Sequence, residues 1–215
     1  MPSAAMNASL LLLAEAALLA VWAPLLGLFT VMRVPPGQPF AGQSAAATLA
    51  AGAWRLGRPL LLRISLMTAL SAAAVLTLRG TLDASSWLHA HAVLWSAALA
   101  LAAFGALCGR MFPEPLDAAA CAIGVALLTA LALFAAGPLL DTLPAWLLDA
   151  ALTSNPIVAT AAAASIDIFR MDLLYQASPL AHRLVDYPSF TAAFGAYVSL
   201  TVVLLFLSAR PVTSR

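Results

Sequence analysis

Residues 139–166 read LLDTLPAWLLDAALTSNPIVATAAAASI, and the number of membrane crossings in the chain turns on them. The stretch holds enough apolar residues to be counted as a span. Asp141, Pro144, Asp149, Asn155 and Pro156 nevertheless divide it into pieces, each shorter than the roughly 20 residues that a crossing helix needs. Irregular backbone at membrane depth is tolerated only inside protein or beside water. We therefore expect two short or re-entrant helices here, LPAWLLDAAL and PIVATAAAASIDIFRMDLLY, with no crossing. The sequence then stays polar as far as Pro188, gathering Asp167, Arg170, Asp172, Tyr175, His182, Arg183, Asp186 and Tyr187. Asp167 and Arg170, like Arg183 and Asp186, are three residues apart and on a helix would pair.

The rest of the chain sets the solvent in which those pieces fold. Of 215 residues, 63% are hydrophobic and 9% charged. A water-soluble domain carries about a quarter charged residues, so most of this surface must face lipid. The formal net charge of +1 leaves no basic face for nucleic acid. Every basic residue is Arg, and the absence of Lys excludes P-loop and Schiff-base chemistry in this chain. Cys108 and Cys121 lie in or beside apolar runs and predict neither a disulfide framework nor a metal site.

Taken in order, residues 8–32 form a first span, which we read as a retained helix and not a cleaved signal. Pro24 lies within it, and Glu15 lies roughly 10 Å inside its start. A charged carboxylate near mid-membrane costs about 2.5–3.5 kcal/mol, so Glu15 is expected to be neutral, paired or facing an interior. It is a candidate pathway residue, with a helix-contact hydrogen bond as the plainer role. The turn-rich VPPGQP at 34–39 opens a loop whose remainder, up to Pro59, forms a weakly amphipathic helix with Trp54, Arg55 and Arg58. Arg63 follows just inside a second span over 60–78 and can snorkel outward. A third span covers 87–107, with Trp87 and Trp95 as interface anchors. His89 and His91 are two apart and point about 200° away from each other on a helix, so they cannot hold one ion together. Residues 108–117 make a tight turn, 118–136 a fourth span, and 190–208 the last.

The expected fold is thus an all-α, polytopic membrane domain over residues 1–215 with five crossings, six being the alternative. Five crossings put Arg33, Arg55, Arg58, Arg63, Arg110, Arg210 and Arg215 on one side, against Arg79, Arg170 and Arg183 on the other. The positive-inside rule makes the first side cytoplasmic, with the N-terminus outside. The polar segment 139–188 is then external, and the loop 33–59 is internal.

ATLAAGAWRLGRPLLLR, then FGALCGRMFPEPLDAA, then SNPIVATAAAASIDIFR give an order that resembles the membrane subunit of an ABC-2-type transporter over about residues 40–215. That resemblance implies a permease of the inner membrane that is not itself an enzyme and has no cofactor. The chain contains no GxxxxGK[ST] motif, so ATP hydrolysis falls to a separate cytoplasmic ATPase docked around Trp54, Arg55, Arg58 and Arg63. A second permease copy completes the passage, and the cargo is hydrophobic or lipid-linked. Glu15, Asp167, Arg170, Asp172 and Tyr175 are the candidate pathway or gate residues. The competing class is a structural or haem-holding subunit using His89, His91 and His182. An intramembrane enzyme is a third, disfavoured because no paired carboxylates, Ser/His pair or HExxH motif occurs.

Overall fold

Apolar runs of this length can satisfy their backbone in lipid only as helices, and helices are what form. The computed structural model describes residues 4–33, 44–77, 83–135, 142–171 and 186–210. Among these lie α1 (Ala4–Arg33), α2 (Ala45–Leu76), α3 (Ala84–Met111), α4 (Pro115–Ala135), α5 (Ala145–Ser154), α6 (Pro156–Ala163) and α7 (Phe190–Ala209), and no strand. Four helical stretches are long and apolar enough to cross a membrane: Ser9–Arg33, Ala84–Met111, Pro115–Phe134 and Phe190–Ala209. The protein is membrane-embedded and all-α.

α2 corrects one expectation. A break between an amphipathic segment and a second span was predicted near Pro59, yet one 32-residue helix runs straight through that proline. At 1.5 Å per residue it is about 48 Å long, against a hydrocarbon core of about 30 Å. The expected span over 60–78 falls on its C-terminal half, which is not among those four stretches; Leu78 lies outside the described residues, as does the VPPGQP turn.

α3 is the central helix. Asp83 caps it by accepting from the Ser86 amide, and the Ser85 and Ser86 hydrogen bonds hold the Asp83 carboxyl below its ordinary value. The α1–α3 seam is built from small residues, with Ala16, Ala23, Ala98, Ala102 and Ala106 all buried. At its tightest point a Cβ on Gly105 would lie 1.9 Å from the Pro24 carbonyl oxygen. One on Gly27 would lie 1.8 Å from that of Ala102. Helices in lipid associate through such close backbone contact, since no hydrophobic drive separates lipid from protein.

The directions of the helices decide how residues 139–189 are used. Glu15 lies beside His91 and Gly27 beside Ala102, so α1 and α3 run parallel. Gly52 lies against Ala209 and Gly57 against Leu205, so α2 opposes α7. His89 meets Phe190 in a tilted ring contact with centroids 4.4 Å apart, and further along Ala97 and Ala100 share a core with Ala193 and Tyr197, so α3 and α7 run parallel. α4 returns after a three-residue turn at 112–114. α4 therefore ends where α7 begins, and the intervening chain enters and leaves at one end of the bundle. The two short helices fill that end without passing through it.

Their break falls at Asn155-Pro156, as the sequence predicts. Pro156 opens α6, where its missing N–H is no loss. The buried Asn155 side chain accepts from the Ile157 and Val158 amides at 3.0 and 3.1 Å and donates to the Ala130 carbonyl of α4 at 2.9 Å. The expected long helix through Tyr175 does not form. α6 stops at Ala163, and Ser165 takes a left-handed φ of 59°. Ile166 N–H then donates to Ala161 O and Ser165 N–H to Ala162 O, the Schellman closure of a helix end. A 3₁₀ turn, Ile168–Arg170, follows and buries Ile168 and Phe169.

The tight seam yields a stability prediction. Gly105→Ala drives a methyl into the Pro24 carbonyl and is expected to cost about 1–3 kcal/mol, read as thermal unfolding in detergent micelles. Gly124→Ala, at a site with nothing within 4 Å of the added Cβ, is the matched control and is expected to be neutral or slightly stabilising.

Candidate functional site

The most unusual chemistry lies in the middle of the helix bundle. Glu15 and His91 are 7% and 6% exposed, and Glu15 Oε2 stands 3.2 Å from His91 Nε2. His91 Nδ1 is 2.9 Å from the Trp87 carbonyl oxygen one turn back on α3. A backbone carbonyl only accepts, so Nδ1 carries a proton. The gap between Nε2 and Oε2 then holds a second, as imidazole with carboxylic acid or as imidazolium with carboxylate. Both forms are neutral overall, which suits so buried a site. Two further polar atoms nearby, Glu15 Oε1 and Trp87 Nε1, are buried with no hydrogen-bond partner among the described residues. Trp87 is in ring contact with His91, centroids 4.6 Å apart.

The pair gives Glu15 the plainer of its expected roles, a helix-contact hydrogen bond, and it draws in Trp87, which was expected as an interface anchor. His89 and His91 do diverge as their spacing requires: His89 is exposed against Phe190, and His91 is buried. With both ring nitrogens of His91 engaged, it offers no lone pair to haem iron. His182 lies outside the described residues.

The predicted coupling residues divide into two groups. Trp54, Arg55 and Arg58 are exposed on the first half of α2, Trp54 at 64%. They line a shallow concavity of about 800 Å³ that continues to Pro59 and Ser65. Arg63 does not join them or snorkel outward. Its Nη1 donates to Thr30 Oγ1, which itself donates to Leu26 O, so Arg63 pins α2 to α1.

At the opposite end of the bundle, Asp167 and Arg170 pair as expected, Nε to Oδ2 at 3.3 Å, although on the 3₁₀ turn and not on a continued helix. Tyr187 Oη donates to Asp167 Oδ1 at 2.6 Å, and its ring stacks on Phe169. Burial first, and then the Asp167 hydrogen bond, push the Tyr187 phenol above its ordinary pKa. Asp172, Tyr175 and Arg183 lie outside the described residues, and with Arg183 the predicted pairing to Asp186.

Between α3, α4, α5 and α7 is a largely apolar cavity of about 660 Å³, within the range of ligand pockets. Leu101, Phe104, Val125 and Leu200 form its walls, and Asp149 and Tyr197 bring polar groups to it. Asp149 was expected to divide residues 139–166 and instead lies within α5, and Tyr197 was assigned no role. No family model, curated protein or solved structure matches this chain.

A double-mutant cycle tests the buried pair. His91→Leu leaves Glu15 buried without a partner and is expected to cost about 3–5 kcal/mol. Glu15→Leu with His91→Leu, which removes both polar groups, is expected to recover most of that loss in the same unfolding measurement.

Proposed function

We propose that the chain is the permease subunit of an ATP-driven transporter of the ABC-2 type, energised by a separate ATPase docked around Trp54 and Arg58. The observation that carries this reading is the continuity of α2. Its first half presents Trp54, Arg55 and Arg58 on an exposed face. Its second half is held in the bundle through Arg63 to Thr30 and Ser65 to Trp95. A displacement imposed on the exposed half is delivered to α1 and α3 by a rigid rod.

The distribution of charge supports the orientation. Of the seven described arginines, Arg33, Arg55, Arg58, Arg63, Arg110 and Arg210 gather at the end where α1, α3 and α7 finish, and Arg170 alone lies at the other. By the positive-inside rule the arginine-rich end is cytoplasmic. On this reading the second half of α2 crosses beside the four apolar helices α1, α3, α4 and α7, with α5 and α6 on the outer side of an inner membrane. A second copy of the chain completes the passage for a hydrophobic or lipid-linked cargo.

Two measurements test this. Trp54→Ala combined with Arg58→Glu is expected to abolish co-purification of ATPase activity with the tagged chain from its native membrane, with insertion unchanged. Retention of that activity at the wild-type level overturns the docking site. In a chain with Cys108 and Cys121 replaced by Ser, a single cysteine at Ser165 is expected to react with an impermeant maleimide in intact cells. One at Arg210 is expected to react only after permeabilisation. The reverse pattern overturns the orientation.

A further inference from the structure

We infer that the groove along α2 from Trp54 to Ser65 binds one anionic phospholipid, with its phosphate on Arg55 and Arg58 and an acyl chain along Leu61 and Leu62.

The depth of the groove follows from its neighbour α7. That helix has 20 residues, which matches the roughly 30 Å of a hydrocarbon core. A Cβ on Gly52 would lie 3.1 Å from the Ala209 Cβ at the end of α7. One on Gly57 would lie 3.2 Å from Leu205 Cδ1, a turn further in. α2 therefore enters the bundle at Gly52, which sets Arg55 about 5 Å and Arg58 about 9 Å inward of the end of α7. At the other end of the groove Ser65 accepts from Trp95 Nε1 at 3.0 Å, near the middle of α3. From Trp54 to Ser65 the groove is about 16 Å long, half the hydrocarbon thickness and so one leaflet.

Charge gives the head. Arg55 and Arg58 are exposed and three residues apart, so they share a helix face. A charged arginine at this depth is costly unless it reaches outward to an anion. Neither α2 nor α7 contains an Asp or Glu, and none borders the groove. Arg58 makes no hydrogen bond or ion pair with a described residue, whereas Arg63 is held by Thr30. Deeper along α2 the exposed surface turns apolar, with Leu62 73% and Leu66 60% exposed. A soluble anion would match only the arginines. A phosphodiester carrying alkyl chains matches both halves of the groove, and a zwitterionic head would bring a cation of its own to the arginines.

The inference needs α7 to lie in a membrane but needs no ATPase, so the full chain alone tests it and its failure leaves the docking proposal untouched. Native mass spectrometry of the chain released from nanodiscs of equal phosphatidylglycerol and phosphatidylcholine is expected to show selective retention of one phosphatidylglycerol. Arg58→Gln is expected to lower that retention about fivefold, with the thermal unfolding midpoint unchanged, and Arg58→Lys to keep most of it. Arg55→Gln provides the same test where Arg58→Gln perturbs folding. Arg33→Gln removes the same charge from the same end of the bundle, outside the groove, and is expected to leave retention as it was. Equal retention of the two lipids by the wild-type chain, or an equal loss in Arg33→Gln and Arg58→Gln, overturns the inference.

Discussion

The bundle depends on how closely α1 can approach α3. Two glycines, Gly27 and Gly105, set that distance, each with the backbone of the other helix where a side chain would begin. In water such a seam is an ordinary packing detail; in lipid it is the main source of helix adhesion, because tails solvate a leucine as well as another leucine does. The seam also makes room for the Glu15–His91 pair. Both groups sit on the same parallel helix pair, on the N-terminal side of the glycine contact. A looser crossing would admit lipid or water and leave two polar side chains unmatched.

Much of this was legible in the sequence. Long apolar runs, with arginines and prolines at their ends, place four helices to within about one turn at each end, and Asn155-Pro156 marks the break between the short ones. What failed did so for physical reasons. Pro59 reads as a boundary because it cannot donate to a helix interior, but packing against α7 through Gly52 and Gly57 carries α2 across it. The run PIVATAAAASIDIF keeps helical composition beyond Ala163, and only tertiary burial of Ile168 and Phe169 stops it, with Ser165 accepting a left-handed backbone at the turn.

The Glu15–His91 pair was legible only in half. Glu15 announces itself as an acid inside an apolar helix. His91 sits one turn deeper than its span was drawn, since α3 starts at Ala84 and not Trp87. With that start corrected, both residues lie two to three turns into helices that run in the same direction, and equal depth is the signal that joins them. Nothing comparable points to Arg63 and Thr30, whose bond follows from where α2 crosses α1. Asp149 reads as a divider of the apolar run but sits within α5 at the edge of the cavity, and Tyr197 is an unremarkable tyrosine in a span until that cavity is seen.

Asn155 has a mechanical consequence. One carboxamide grips the Ala130 carbonyl with its nitrogen and the first two amides of α6 with its oxygen. Sliding α6 along α4 would break the carboxamide's bond to Ala130 while the two cap bonds travel with α6, so that one buried bond is what ties the two helices. A relative motion that keeps this bond hinges elsewhere, and α4 and α6 then move as a single plate.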